Sequence, residues 1–273
     1  MGRHFVDGHH PALSHALDVI QERYGEQVSV AAADRSRLSV GNNADVGTTL
    51  VSAWDFEQDE TFVNTNIIDT LSSSAEGDTA DELIIIGYTI SGGLLTRVVQ
   101  TASTHATDGR TKVVLDTPLA RCCSITHKDT TAMTGTLYVY EDGAITLGVP
   151  DDLTTVHCTM VGTKSQSFKG CSATANDEWW IITGMYASVK RNTNAIVDFT
   201  VEAREVNDGA PNIFRTLVEI SASQGSPVIV STEPYLILPN NSDFRIRAIS
   251  TTSATEVFVW VNGYVATTAT GET

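Results

Sequence analysis

Apolar and polar residues alternate along much of this chain, and the alternation restricts it to a β-rich fold. Val197, Phe199 and Val201 occupy every second position, and the residues between them are polar or charged. Residues 244–248 repeat the pattern. A period of two is that of a strand with one face against a core and the other in water. From Gly25 onward we therefore predict a mainly β structure.

The first 25 residues carry a different pattern, which predicts a short amphipathic helix over residues 11–24. Pro11 suits the first helical turn and Gly25 suits the end of the helix. The apolar stripe consists of Leu13, Ala16, Leu17, Ile20 and Tyr24. Such a stripe must be covered, either by the rest of the chain or by a neighbouring subunit. We predict that interface residues include Leu13, Leu17, Ile20 and Tyr24.

Composition shifts divide the chain into an arm and two β domains. Residues 1–50 are interpreted as an N-terminal arm, because 35–49 are polar and contain glycine. An irregular stretch over 150–172 separates a first domain, 51–160, from a second, 161–273. Several short strands with turn residues between them favour antiparallel β-sandwiches of jelly-roll-like type in both domains.

One turn is clear from sequence alone. Ser91-Gly92-Gly93 lies between two apolar runs, 83–90 and 94–99. Paired glycines supply the positive φ angles that tight hairpins require. We therefore predict a β-hairpin over these residues.

The charge of the chain argues against one broad class of function. It has 17 lysines and arginines against 33 aspartates and glutamates, a formal net charge of −16 at pH 7. Because basic side chains supply most of the affinity for phosphates, we expect no specific nucleic-acid binding. No apolar run approaches the roughly 18 residues that span a bilayer, and no signal-peptide pattern opens the sequence. We expect that the chain does not associate with membranes. We expect that it is synthesised in the cytoplasm.

Side chains with catalytic or metal-binding chemistry are present, but their spacing matches no known site. Imidazole and carboxylate groups are ordinary zinc and nickel ligands. The N-terminal segment carries His4, Asp7, His9, His10 and His15, whose spacing fits no closed site. His157 and Cys158 are neighbours, which point apart on a strand and so cannot act as base and nucleophile. We predict no catalytic residue, no cofactor and no metal.

Two adjacent tryptophans stand out among the aromatic residues. Because neighbouring strand residues face opposite ways, we predict that Trp179 and Trp180 place one ring in the core and one at a subunit contact. The alternative is a sugar-binding face. Its candidate stacking residues are Trp179, Trp180, Trp260 and Tyr264.

Five segments together resemble a known family: 70–74, 77–80, 83–88, 184–191 and 238–248. In the last of these, a loop with proline and aspartate leads into an alternating basic strand. The chain is similar over about 65–265 to β-sandwich virion proteins of tailed bacteriophages. The resemblance implies a protein without catalytic residues that packs against other virion subunits. It has no counterpart for residues 1–50.

The resemblance leads to a specific expectation of function. It implies a non-enzymatic virion structural protein, either a capsid-decorating or minor head protein or a subunit at the neck or tail. The expected partners are other virion proteins and further copies of the chain. The alternatives are a receptor- or carbohydrate-binding β-sandwich of the phage particle and, third, a depolymerase with acidic catalytic residues.

Overall fold

The computed structural model describes ten stretches of the chain: 16, 28–29, 35–54, 62–129, 132–164, 166–167, 173–190, 195–206, 213–224 and 226–268. The predicted helix at 11–24 lies outside these stretches except for Ala16, which is helical and buried. Among the described residues, no helix has the length and apolar character needed to cross a membrane.

The described residues are mainly β, as predicted, and every ladder between strands is antiparallel. The strands of the first half are β1 (Val28–Ser29), β2 (Arg35–Val46), β3 (Val51–Ser52), β4 (Ile68–Ser73), β5 (Glu82–Ser91), β6 (Leu94–Ser103), β7 (Val113–Leu119), β8 (Arg121–His127) and β9 (Thr136–Glu141). Those of the second half are β10 (Ile145–Thr146), β11 (Val149–Pro150), β12 (Val156–Val161), β13 (Glu178–Val189), β14 (Ile196–Glu205), β15 (Arg215–Ser223), β16 (Val228–Leu238), β17 (Ser242–Ser250) and β18 (Thr255–Thr268). A short 3-10 turn spans Leu153–Thr155.

Two sheets pack face to face over 62–167 and form the first sandwich. One sheet has the strand order β12-β9-β4-β7 and the other β6-β5-β8. Both contribute to one core, in which Leu71, Ile85 and Leu137 are fully buried. The predicted hairpin is confirmed: β5 pairs with β6 as far as Ser91 opposite Leu94, and both turn glycines have positive φ.

The second sandwich consists of a five-stranded sheet and a four-stranded sheet. In the five-stranded sheet the order is β1-β18-β13-β16, and β2 also pairs with β18. The four-stranded sheet has the order β15-β14-β17-β3. Val197, Phe199 and Val201 of β14 are fully buried between the two sheets, which confirms the interpretation of their alternation.

Strand pairing changes the predicted domain organisation. Residues 35–46 were expected in a separate arm, but they form β2 and pair with β18 along Arg35 to Val46. The short β3 pairs with β17 in the same sandwich. Main-chain hydrogen bonds to one neighbour are enough for an edge strand, so its sequence needs no apolar alternation. The first sandwich is therefore inserted between two parts of the second.

Candidate interaction surface

Three aromatic residues lie together on the outward side of the five-stranded sheet. Tyr186 of β13 is directly opposite Trp260 of β18, and Phe258 is two residues away on β18. The alternate residues of both strands, including Ala187 and Val259, point into the core. Side chains alternate across a strand, so the three aromatic rings project to the other side. We call Tyr186, Phe258 and Trp260 the aromatic face.

The three rings are held by contacts with one another. Tyr186 and Trp260 stack at 4.2 Å between centroids with an interplanar angle of 13°. Phe258 meets Trp260 edge to face at 5.3 Å and 78°. The Lys190 ammonium lies 5.2 Å from the Phe258 centroid and 3.3 Å from a Glu256 carboxylate oxygen. These contacts order the rings without burying them fully.

An exposed apolar side chain extends the aromatic face towards the sheet edge. Ile229 of β16 is opposite Tyr186, and 78% of its surface is exposed. Directly opposite residues of an antiparallel pair lie on the same face of the sheet. Large aromatic side chains with a polar rim are typical of protein–protein contacts.

In the stacked pair of Tyr186 and Trp260, each ring covers one face of the other. This pair therefore does not offer a sugar two open ring faces.

Both tryptophans predicted as interface residues are buried within the chain itself. Trp180 lies in the core of the second sandwich and meets Phe244 edge to face at 5.6 Å. Trp179 packs on the opposite side of β13 with Ile181, Ala266 and Ala16. At its start, β13 is a central strand of its sheet and is covered on both faces. The prediction that one of the two tryptophan rings meets a partner is therefore corrected.

The other predicted interface residues divide into two groups. Leu13, Leu17, Ile20 and Tyr24 lie outside the described residues. Of the remaining candidate stacking residues, Tyr264 packs beside Trp179 and Trp260 belongs to the aromatic face. Tyr186 and Phe258 were missed. Their segments, 179–189 and 256–265, are more continuously apolar than an alternating strand, which is typical of strands buried on both sides or lying at an interface, so the pattern did not single out these two residues.

A buried ion pair joins the two sandwiches. Arg121 of β8 donates to both carboxylate oxygens of Asp243 in β17, at 2.7 and 3.0 Å. The two side chains are 1% and 0% exposed. Asp243 also accepts from Arg204 at 3.0 Å, and Arg121 donates to the carbonyl oxygens of Val63 and Ala120. A bidentate guanidinium–carboxylate contact restricts both the distance between the two side chains and their relative orientation.

Further polar contacts surround this pair at the domain junction. Glu178 of the second sandwich accepts from the Tyr88 hydroxyl at 3.1 Å and pairs with Arg97 at 3.5 Å. The Asn241 side chain accepts from the Leu95 N–H at 2.7 Å and donates to the Gly93 carbonyl at 2.8 Å. Two strands and one turn of the first sandwich therefore make polar contacts with the second.

Ionisable residues are few in the lining of a depression beside the junction. A depression of about 390 Å³ lies between the sandwiches, and Glu205 is the single ionisable residue among those that line it. His157 and Cys158 point apart as expected: Cys158 lies in the first core, and His157 Nε2 is 3.0 Å from Glu141 Oε1. Burial raises the pKa of Glu141, and the nearby Asp152 and Asp69 add to that effect.

Comparisons with known proteins give no family for the chain. No protein-family model matches it, and no curated protein does so. Among solved structures, infectious bursal disease virus Gx strain is 8% identical with a TM-score of 0.26, covering 91% of this chain and 74% of that chain. The CBM22-1-CBM22-2 tandem domain of Paenibacillus barcinonensis Xyn10C is 8% identical with a TM-score of 0.23, covering 88% and 100%. The Gt strain of the virus is 9% identical with a TM-score of 0.24, covering 88% and 70%. Likenesses this weak support no statement about function.

Proposed function

We propose that this chain is a non-enzymatic structural subunit of a tailed-bacteriophage particle and that it acts through contacts with other virion subunits. It belongs to the shell as a decorating or minor head protein, or to the neck or tail. The observation that carries the proposal is the aromatic face. Ordered, half-exposed aromatic rings beside an exposed isoleucine form the kind of surface that another protein covers.

The domain junction supports a role in assembly. A subunit that transmits position between neighbours must keep its two domains in one orientation. Arg121 and Asp243 are buried at the junction and bonded twice, and Arg204 adds a third contact to Asp243. A two-domain body fixed in this way presents its surfaces at a constant spacing.

The net charge also suits a place in a particle that contains DNA. A formal charge of −16 disfavours adhesion to packaged DNA. It is equally suited to an outer shell and to a conduit through which DNA passes. The partners we propose are capsid, neck or tail subunits and further copies of this chain, assembled in the virion after synthesis in the host cytoplasm.

We also assign both sandwiches to the jelly-roll-like type. In the first sandwich the chain crosses from one sheet to the other four times: between β4 and β5, between β6 and β7, between β7 and β8, and between β8 and β9. Repeated crossing between two antiparallel sheets is a feature of Greek-key and jelly-roll sandwiches.

Quantitative mass spectrometry of purified particles tests the proposal. We expect the chain in every particle, on the order of hundreds of copies for a shell protein or about six or twelve for a neck or tail subunit. Particles that are infectious and lack the chain would refute the proposal.

A pair of variants tests whether the aromatic face makes the contact. Trp260→Ser combined with Tyr186→Ser should lower incorporation into particles several-fold. The matched control is Val114→Ser, which changes an exposed apolar residue, 71% exposed, on the first sandwich. Equal incorporation of both proteins would remove the aromatic face from the account.

Glycan binding is the outcome that would favour the alternative function. A glycan array probed with the purified chain should give no signal that depends on Trp260. Binding to a host polysaccharide that is lost in Trp260→Ser would instead indicate a receptor- or carbohydrate-binding sandwich.

A further inference from the structure

We propose that Asp81, His127 and Asp129 form a binding site for a divalent transition-metal cation such as Zn²⁺. Their candidate ligand atoms all lie within 4.8 Å of one another, at the end of the first sandwich where β5 begins and β8 ends. The site is separate from the aromatic face and does not depend on the proposed structural role.

The distances between the ligand atoms fit one shared ion. His127 Nε2 lies 3.2 Å from Asp81 Oδ1 and 3.6 Å from Asp129 Oδ2. Two ligands about 2.1 Å from the same ion lie about 3.0 Å apart in octahedral geometry and about 3.4 Å apart in tetrahedral geometry. Both distances from His127 are therefore close to those expected around a shared ion, and the two carboxylate oxygens lie within 4.8 Å of each other.

Main-chain contacts hold the three residues in these positions. His127 is opposite Leu83 in the β5–β8 ladder, and its side chain is 3% exposed. The Asp81 N–H donates to Thr104 Oγ1 at 2.9 Å, and its carbonyl accepts from the Thr104 N–H at 3.1 Å. Asp129 Oδ2 accepts from the Glu82 N–H at 2.6 Å. Groups that orient metal ligands in this way strengthen binding.

The charge at the site favours a cation. Two carboxylates lie beside one imidazole, and neither aspartate pairs with a lysine or arginine among the described residues. The neighbouring Lys128 pairs instead with Glu82. A neutral imidazole offers one nitrogen lone pair to a metal while its proton remains on the other nitrogen.

The donor set selects the class of metal. Ca²⁺ and Mg²⁺ prefer sites made wholly of oxygen, whereas Zn²⁺ and related transition metals accept imidazole together with carboxylates. The Asp129 side chain is 43% exposed, which gives an ion access from solvent and leaves room for water as a further ligand. A bound ion would link Asp81, just before β5, to Asp129, two residues after the end of β8.

Calorimetric titration of the full chain with ZnCl2 tests the site. The N-terminal histidines are themselves potential ligands, so the background protein carries the substitutions His4→Gln, His9→Gln, His10→Gln and His15→Gln. We expect one bound Zn²⁺ per chain. We expect Asp129→Asn to weaken the affinity for Zn²⁺ at least about tenfold. The Asn side chain still offers an oxygen to the Glu82 N–H, so this exposed substitution keeps the fold. A second readout is the visible absorption of bound Co²⁺, which should be lost in the same variant.

The matched control is His157→Gln, because His157 is also a buried histidine beside a carboxylate, that of Glu141, but it belongs to no group of three potential metal ligands among the described residues. We expect this variant to bind Zn²⁺ as the background protein does. Absence of binding in the background protein would overturn the proposal. So would equal affinity in the Asp129→Asn variant, because Zn²⁺ would then bind elsewhere.

Discussion

At the residue scale, two buried carboxylates show how polar groups fix this β structure. Asp243 is fully buried and accepts from Arg121 and Arg204. Asp78 is 3% exposed and joins the segment around Ser73 to Thr134. Burying a charge is unfavourable unless an opposite charge or hydrogen bonds compensate it. Asp243 is paired with two arginines, and Asp78 accepts hydrogen bonds from Ser73, Thr134 and Gly135. Removing one of their partners should therefore be more harmful than removing an exposed ion pair.

Arg121→Met tests the buried pair. The substitution leaves Asp243 charged and buried with fewer donors, so we expect a loss of about 3–5 kcal/mol in the free energy of unfolding. Urea denaturation followed by fluorescence measures it. Lys112→Met, which removes an exposed partner of Asp142, is the control and should change stability little. A similar small effect for Arg121→Met would show that the junction does not depend on this pair.

Asp78 should make the protein less stable in acid. Burial on its own raises the pKa of this carboxyl, but hydrogen bonds from Ser73, Thr134 and Gly135 outweigh it and lower the pKa below 3.8. Because the folded pKa lies below the unfolded value, the stabilisation is complete above about pH 5 and is lost as pH falls through the folded pKa. In Asp78→Asn, the unfolding free energy should fall less between pH 7 and pH 3 than in the parent chain. An unchanged pH dependence would contradict the assignment.

At the element scale, side-chain periodicity predicted some strands and could not predict others. The buried positions of β14 and the β5–β6 hairpin follow from alternation and from a glycine pair, which are local signals. The strand β2 gives no such signal, because an edge strand needs only backbone pairing with β18. The segments of β13 and β18 are continuously apolar, so periodicity did not separate their core side from the outward side that carries Tyr186 and Trp260.

Two turn glycines with positive φ should differ in their tolerance of a side chain. A Cβ at Gly92 (φ +57°) would meet nothing within 4 Å, whereas one at Gly148 (φ +78°) would lie 1.9 Å from the Ser73 carbonyl oxygen. We expect Gly92→Ala to cost about 1 kcal/mol, from backbone strain alone. Gly148→Ala should cost clearly more, because backbone must also move. Thermal unfolding of the two variants measures the difference, and equal melting temperatures would contradict it.

At the scale of the whole molecule, the chain is two sandwiches held together by side chains that are far apart in sequence. Arg121 and Asp243 are separated by 122 residues, so no local pattern reveals that they meet. The same holds for the candidate metal site, because Asp81 and His127 are 46 residues apart in sequence and meet only where the start of β5 lies beside the end of β8. The alternation of apolar and polar residues indicated the fold class, and the net charge argued against nucleic-acid binding. Locating the aromatic face required the pairing of β13 with β18.

The central claim is that the aromatic face of this molecule is covered when it performs its function. Hydroxyl-radical footprinting, read by mass spectrometry, compares the oxidation of Tyr186, Phe258 and Trp260 in the free chain and in intact particles. We expect strong protection of these three residues in the particle, while Val114 keeps the same reactivity in both samples. Equal oxidation of the aromatic face in the free chain and in the particle would contradict it.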